Sequence, residues 1–227
     1  MSQFLRFLLS LSLLSAPTLA VGGELQWEFL GASGFGNGLG CTKDDVTVAT
    51  AGNDLSIIYS KMSVNLPAGG PSMAKTQSGQ CLVFLKVTVP TGETITQTQA
   101  SVIGGIEKDQ GVYAYVTAIS YLTKKVARLI HPHLPGAPFG PVLYLNRVML
   151  PRDAINEPLF QMDQAKDLNK VHKKSICKMT ASKPAEFGMT IRLAVAAVRP
   201  KTDKTAIINV DTMDGHLDLA MNTEACR

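Results

Sequence analysis

The sequence predicts an all-β protein, an antiparallel β-sandwich or jelly roll with one short helix in an irregular insertion. Three observations favour this fold class. Short runs rich in valine, isoleucine, threonine and tyrosine recur along the chain, and clusters of glycine, proline, asparagine and aspartate separate them. The chain has 227 residues, of which 45% are hydrophobic and 18% charged, so it can bury a sizeable core in a single domain.

The first twenty residues have the pattern of a secretory signal peptide. Arg6 is their only charged residue, an apolar run follows it, and Thr18-Leu19-Ala20 ends the segment with a small residue. The apolar run is too short to cross a bilayer, which takes about 20 residues. We therefore expect cleavage after Ala20 and a secreted, extracellular single domain from 21 to 227. No transmembrane segment is expected after the signal peptide.

The first half of the mature chain consists of predicted strands separated by turn sequences. The turn residues include Gly52-Asn53-Asp54 and the break at 67–71, and further turns fall at 90–93 and 108–111. In chain order, the predicted strands are 45–51, 55–66, 81–89, 94–106 and 112–122.

The stretch from about 123 to 175 fits the strand pattern poorly and is interpreted as an irregular insertion. It contains a proline-rich loop at 131–141 and the best helix candidate, 163–174, whose apolar face is thin. Strands are predicted again at 189–198, 205–211 and 216–221. Apolar residues at alternate positions from 189 to 195 indicate a half-buried strand.

Four cysteines follow the signal segment: Cys41, Cys81, Cys177 and Cys226. An even number in an exported chain indicates disulfides, and four cysteines allow three pairings. We favour Cys41–Cys81 and Cys177–Cys226. Each closes a loop of about 40 to 50 residues and would stabilise the fold by about 3–4 kcal/mol in the chain-entropy model. No cysteine or histidine cluster has the spacing of a zinc site.

The formal charge of +4 comes from scattered basic residues with one denser cluster. The cluster consists of Lys166, Lys170, Lys173, Lys174 and Lys178. Proteins that bind nucleic acids usually carry a stronger basic stripe with interleaved aromatic residues. We therefore expect no nucleic-acid partner.

Two short motifs are candidate metal sites. His131 and His133 can ligate copper or zinc if folding brings a third ligand to them. The alternative is a pair of loop histidines. Asp211 and Asp214 stand beside a glycine turn and can offer oxygen ligands to calcium, which is the one cofactor that the sequence suggests. The alternative there is an Asp-Gly turn between two strands.

Tyr113, Tyr115 and Tyr121 share one parity on the predicted strand 112–122 and can line a ligand-binding face. Such a face would suit sugar rings. The alternative is packing in the core or against neighbouring strands. No Gly-x-Ser-x-Gly nucleophile elbow occurs, so no catalytic residue is assigned.

Several motifs occur in a distinctive order along the chain. They are the glycine-rich lead 31–40 into Cys41, the segment Leu55-Ser56-Ile57-Ile58-Tyr59-Ser60, the strand from Cys81 to Pro90-Thr91-Gly92, the pair Gly104-Gly105, and, after Cys177, the segments Met189-Thr190-Ile191-Arg192-Leu193 and Ile207-Ile208-Asn209-Val210-Asp211-Thr212-Met213-Asp214-Gly215 before Cys226. This order resembles the DUF4360 family of small secreted proteins of unknown function. The resemblance covers most of the mature chain. It implies the fold and export, and it transfers no catalytic residue.

The expected function is a binding or surface-interaction role, with a glycan or a protein at the cell surface as partner. One alternative is an extracellular hydrolase with His131 or His133 as acid or base. Another is a structural envelope or matrix protein. A binding module predicts an exposed tyrosine face or a shallow groove, and an enzyme predicts a cleft with His133 near a carboxylate. A structural protein predicts an exposed apolar patch.

Overall fold

Strands with alternating buried and exposed residues make up most of the computed structural model, which describes residues 23–36, 41–68, 75–123, 142–149, 160–167, 170–210 and 215–227. In chain order the strands are β1 (Gln26–Gly36), β2 (Val46–Ala51), β3 (Asp54–Tyr59), β4 (Ser63–Leu66), β5 (Thr76–Val89), β6 (Glu93–Lys108), β7 (Tyr113–Thr123), β8 (Val142–Met149), β9 (Phe160–Asp167), β10 (Ala185–Val198), β11 (Ala206–Asn209) and β12 (His216–Ala225). One α-helix, α1 (Lys170–Thr180), and a 3-10 turn, Lys43–Asp45, complete the described elements.

The strands form two antiparallel sheets that pack as a sandwich, which confirms the predicted fold class. Sheet I has five strands in the order β1-β5-β10-β7-β8. Sheet II has seven strands, six of them in the order β2-β3-β12-β6-β11-β4. Its seventh strand, β9, pairs with residues 97–104 of β6, whereas β11 pairs with residues 105–108. The two strands thus share one edge of β6.

The core lies between the sheets because every second residue of the central strands is apolar and buried. On β5 and β10, the positions that face the core include Val83, Leu85, Val87, Phe187, Met189, Ile191 and Leu193, all fully buried. Sheet II contributes Leu55, Ile57, Val102, Leu217 and Leu219 to the same cluster. Outward-facing residues of sheet II such as Asp54, Ser56, Asp218 and Ala220 are exposed or half-buried, whereas Phe84, Thr117 and Thr190 on the outer face of sheet I are buried.

The described strands include most of the predicted ones, but β1, β8 and β9 were not predicted, and two predicted elements differ in their bounds. The predicted strand 55–66 is divided between β3 and β4 by a bend at Ser60 and Lys61. The predicted helix 163–174 begins only at Lys170, because residues up to Asp167 pair with β6 instead. Pairing with an open strand edge satisfies the backbone there, and the thin apolar face offered little to hold a helix.

The stretch from 123 to 175 is thus partly regular, since β8 extends sheet I and β9 extends sheet II. The predicted signal peptide, residues 1–20, lies outside the described residues. Within the described part of the chain, no helix is long and apolar enough to cross a membrane.

Both disulfides have the favoured pairing, Cys41–Cys81 and Cys177–Cys226. The first joins the 3-10 turn region to β5, and the second joins α1 to the end of β12. Gly34 of β1 lies against Cys41, and a Cβ atom at Gly34 would stand 2.6 Å from the Cys41 Cβ and 2.7 Å from its backbone nitrogen. The glycine-rich lead into Cys41 is therefore needed in part for this close approach.

Asp45 fixes the turn that follows Cys41. Its Oδ2 accepts hydrogen bonds from the Thr42 backbone nitrogen at 2.9 Å and from Thr42 Oγ1 at 2.7 Å. Its Oδ1 lies 2.7 Å from Lys61 Nζ. The Lys61 ammonium, followed by the two Thr42 donors, lowers the pKa of Asp45 from 3.8 to about 2.

Stability is therefore expected to depend on Asp45 in acid. Well above pH 3.8 the Asp45 carboxylate is ionised in both the folded and the unfolded chain, and it makes its full contribution to the free energy of unfolding. As the pH falls toward 2, the unfolded chain takes up the proton first and that contribution is lost. Urea unfolding between pH 2 and 7 measures this effect. As the pH falls, the free energy of unfolding should decrease less for Asp45→Asn than for the unmodified protein. Asp44→Asn, at an exposed neighbour, serves as the control. Identical pH profiles for the protein and Asp45→Asn would contradict this role.

Candidate functional site

The three predicted ligand-face tyrosines lie on the outer face of sheet I, and we call Tyr113, Tyr115 and Tyr121 the tyrosine face. Tyr113 is 60% exposed and Tyr115 is 37% exposed, whereas Tyr121 is half-buried. On β10, Val198 pairs with Tyr113 and is itself exposed. The exposed part of the tyrosine face is therefore limited to the two rings at the start of β7.

The predicted metal-site residues cannot be placed in the same way. His131, His133, Asp211 and Asp214 lie outside the described residues. Among the residues that the structure describes, no group of three or more histidine, cysteine, aspartate or glutamate side chains is arranged to hold a metal ion. Calcium, copper and zinc binding remain predictions from the sequence.

The outer face of sheet II carries an open groove of about 480 Å³, which we call the polar groove. Sequence reasoning did not identify it. Its surface is formed by outward-facing residues of five adjacent strands: β2, β3, β12, β6 and β9. The lining residues that point outward are Ala49, Ala51, Asp54, Ser56, Gln99, Ser101, Ile103, Gln161, Asp163, Asp218 and Ala220.

Strand register arranges these residues in rows across the sheet. One row runs Ala49, Ser56, Asp218, Ser101, Asp163, with each residue paired to the next. A second row runs Ala51, Asp54, Ala220, Gln99. Because neighbouring strands lie about 4.8 Å apart, the first row spans about 19 Å. The alanines and serines are small, which leaves room for a ligand above the sheet.

Two carboxylates of the groove are each oriented by a neighbour two residues earlier on the same strand. On β12, His216 Nε2 lies 3.0 Å from Asp218 Oδ2. On β9, Gln161 Nε2 donates hydrogen bonds to Asp163 Oδ1 at 3.2 Å and Oδ2 at 3.0 Å. The two strands flank β6 on opposite edges, so the carboxylates form a matched pair about two strand spacings apart.

Ser101 lies between this pair, since it is the β6 residue that faces both Asp218 and Asp163. Its hydroxyl oxygen is buried, and no hydrogen-bond partner is found for it among the described parts of the chain. The half-buried Ser101 therefore lies at the base of the groove, between two oriented acceptors.

The signal for this groove was present in the sequence but was divided among distant segments. Polar or small residues recur at alternate positions, as with Gln99 and Ser101 on β6 or Asp218 and Ala220 on β12. Outward-facing positions on most sheets carry solvated polar side chains. The alternating pattern therefore indicates a groove only once the strand register shows that these residues are neighbours. Asp163 was harder still to recognise as part of a sheet, because the local sequence predicts a helix at 163–174.

The fold and its cross-links define a class, a β-sandwich protein stabilised by two disulfides. No protein-family model matches the chain, and no curated protein matches it.

Similar solved structures include the enzymatically active domain of tailspike protein 4 from bacteriophage CBA120, with a TM-score of 0.26 and 10% identity over 88% of this chain and 19% of that chain. The glycoside hydrolase domain of Endo-D from Streptococcus pneumoniae R6 has a TM-score of 0.26 and 10% identity over 83% of this chain and 21% of that chain. TmCBM61, in complex with β-1,4-galactotriose, has a TM-score of 0.26 and 9% identity over 87% of this chain and 90% of that chain.

The chain spans about a fifth of the length of the first two structures. At these TM-scores and identities the likeness carries no functional argument.

Proposed function

We propose that this protein is an exported binding module that holds a neutral glycan in the polar groove. The observation that carries the proposal is the pair of oriented carboxylates, Asp163 and Asp218, on either side of Ser101. Acceptors held in place before the ligand arrives lose little conformational entropy on binding.

The groove offers the complementary chemistry for a polyhydroxylated ligand. Ionised carboxylates accept hydrogen bonds from hydroxyl groups, and such charge-assisted bonds are stronger than neutral ones. The amide of Gln99 both donates and accepts. The methyl groups of Ala51 and Ala220, beside these polar groups, suit the apolar faces of sugar rings.

The charge of the groove favours a ligand without negative groups. Asp54, Asp163 and Asp218 are acidic, and no lysine or arginine occurs among its described lining residues. A uronate or a sulfated sugar would bring like charges together, which is unfavourable in a partly desolvated site. The proposed ligand class is therefore a neutral oligosaccharide.

The tyrosine face is the second candidate site for a glycan. Tyr113 is 60% exposed, and an exposed ring of this kind provides a flat apolar surface for stacking. Both candidate sites support a binding module, whereas the hydrolase alternative predicts a cleft containing His133 and the structural alternative predicts a patch for self-association. His133 itself lies outside the described residues.

The test is binding of the folded, oxidised protein to a microarray of neutral oligosaccharides, followed by calorimetry with the best ligand. Asp163→Asn/Asp218→Asn is expected to weaken binding about 10- to 100-fold, since hydrogen bonds to charged groups contribute about 1.5–3 kcal/mol. Asp203→Asn, in an exposed turn, is the control and should bind like the unmodified protein.

Two outcomes would count against the groove. If Tyr113→Ala/Tyr115→Ala abolished binding while the aspartate variant retained it, the tyrosine face would be the site. If no neutral oligosaccharide bound, the proposed function would be wrong.

Export is a separate part of the proposal and rests on residues 1–20 together with the two disulfides, which form and persist in oxidising compartments. N-terminal sequencing of the protein recovered outside its producing cells should begin at Val21. A mature chain that still contained Arg6 would contradict cleavage at the predicted position.

A further inference from the structure

A second cleft, which we call the basic cleft, lies between α1 and the end of β12. Its volume is about 760 Å³. The helix lines one side, the last residues of the chain line the other, and Thr94 of β6 lies between them. The lining residues are Thr94, Lys170, Lys173, Lys174, Cys177, Thr223, Glu224, Ala225, Cys226 and Arg227.

The side chains of this cleft are strongly and asymmetrically charged. Lys170, Lys173, Lys174 and Arg227 are basic, and Glu224 is the single acidic residue among the described lining residues. Glu224 Oε1 lies 3.7 Å from Lys173 Nζ, so its charge is matched by that lysine. No acidic side chain among the described lining residues balances the other three basic side chains, all of which are exposed. The helix itself contains no acidic residue to offset them.

The two walls of the cleft are fixed to each other. The Cys177–Cys226 disulfide joins them covalently. Thr180 Oγ1 donates a hydrogen bond to the Glu93 backbone oxygen at 2.7 Å, and the Gly92 nitrogen donates to the Thr180 oxygen at 2.7 Å. The Cys226 nitrogen donates in turn to the Gly92 oxygen at 2.7 Å. The backbone positions that carry the basic side chains are therefore set before any partner arrives.

We propose that the basic cleft binds an acidic polysaccharide through its carboxylate or sulfate groups. Three exposed basic side chains on a fixed framework match a polymer that presents repeated negative charges. Three of the five lysines in the basic cluster of the sequence, Lys170, Lys173 and Lys174, line this cleft. The proposal gives that cluster a binding role. The inference does not depend on the neutral ligand proposed for the polar groove, whose charge has the opposite sign.

The residue types in the cleft favour a polysaccharide over a single-stranded nucleic acid. Proteins that hold single strands stack the bases on aromatic side chains. The described lining residues of the basic cleft include no aromatic side chain. What they offer is ammonium and guanidinium groups with threonine hydroxyls, which suit acidic groups and sugar hydroxyls.

The experiment measures binding of the oxidised, full-length mature protein to heparin and to polygalacturonate, at several salt concentrations. Lys170→Gln/Lys174→Gln is expected to lower the affinity at least about tenfold near 0.1 M salt. The substitution should also reduce the slope of the logarithm of the binding constant against the logarithm of the salt concentration by about 1 to 2. The reason is that a variant with fewer ionic contacts releases fewer counterions on binding. Lys173 is left in place because it pairs with Glu224.

The matched control is Lys75→Gln/Lys201→Gln, which removes the same charge from exposed positions at the other end of sheet I. Lys75 precedes β5 and Gly92 follows it, which separates the two regions by about 40 Å of strand. The control should change the affinity less than about twofold, and equal thermal midpoints would show that both variants are folded.

Three results would overturn the proposal. The first is the absence of binding to either polysaccharide. The second is an equal loss of affinity in the cleft variant and the control, which would mean that only net charge matters. The third is displacement of both polysaccharides by a single-stranded DNA oligonucleotide that binds more tightly and loses affinity in the cleft variant. None of these outcomes bears on the polar groove, which is tested with neutral ligands.

Discussion

Replacement of Arg199 by leucine is expected to lower the free energy of unfolding by about 2–3 kcal/mol, because a hydrogen bond to a charged group contributes about 1.5–3 kcal/mol. Arg199 is only 2% exposed. Its Nη1 lies within hydrogen-bond distance of three backbone oxygens, those of Pro67 at 2.8 Å, Thr202 at 3.0 Å and Lys204 at 3.0 Å, and its two N–H groups are shared among them. The guanidinium group thereby joins the end of β4 to the turn before β11.

The size of this effect follows from what the substitution leaves behind. Leucine cannot donate a hydrogen bond, so the carbonyl oxygens of Pro67, Thr202 and Lys204 lose this donor. Because Pro67 and Thr202 are exposed, water can replace part of the lost hydrogen bonding. Arg199→Lys keeps the charge but lacks the planar fork, so it should restore only part of the stability.

Urea unfolding followed by circular dichroism measures the change at Arg199. Arg192→Leu, on the outer face of sheet I, is the control and should change stability by less than about 1 kcal/mol. If Arg199→Leu cost no more than Arg192→Leu, the three hydrogen bonds would not have the structural role assigned to them.

Removal of the second disulfide by Cys177→Ser/Cys226→Ser is expected to lower the free energy of unfolding by about 4 kcal/mol. The two cysteines are 49 residues apart, and the bridge restricts the unfolded chain in proportion to the logarithm of that separation. Both cysteines are half-buried, so the serine hydroxyls can reach solvent and add little further cost. The loss is therefore expected to come mainly from the unfolded state.

Denaturant unfolding of the oxidised protein and the double variant provides the measurement. The variant should also exchange the amide hydrogens of α1 faster than the protein does, because the helix loses its covalent link to the end of β12 and keeps only noncovalent contacts, such as Ile176 packing and the Thr180 hydrogen bonds. A stability loss below about 1 kcal/mol, with unchanged exchange in α1, would contradict the proposed role of the bridge.

The strands could be predicted because their signal is local. Alternating apolar residues, as on β10, and turn residues with φ suited to glycine, as at Gly52 (φ 59°) and Gly92 (φ 72°), are visible within a few positions of the chain. The favoured disulfide pairs could also be named, because each closes a loop of moderate length.

The groove and the buried arginine could not be predicted, because both depend on pairing between distant segments. Asp218 and Asp163 flank Ser101 only through the register of β12 and β9 on β6. Asp163 lies in a strand because residues 160–167 pair with the edge of β6, whereas the local sequence predicts a helix. Arg199 follows a strand and precedes Pro200, a context typical of an exposed turn, yet it is buried and one of its hydrogen-bond partners, Pro67, is 132 residues away.

The most direct test of the central claim is a titration of the ¹⁵N-labelled, oxidised protein with a neutral oligosaccharide, followed by backbone amide chemical shifts. The polar groove predicts that the largest changes fall on residues 99–103, 161–163 and 216–220, which converge on the outer face of sheet II. It further predicts that Asp163→Asn/Asp218→Asn removes these changes while leaving the rest of the spectrum intact. Largest changes on residues 113–121 or on α1, or no changes at saturating ligand, would contradict the assignment of the groove as the glycan-binding site.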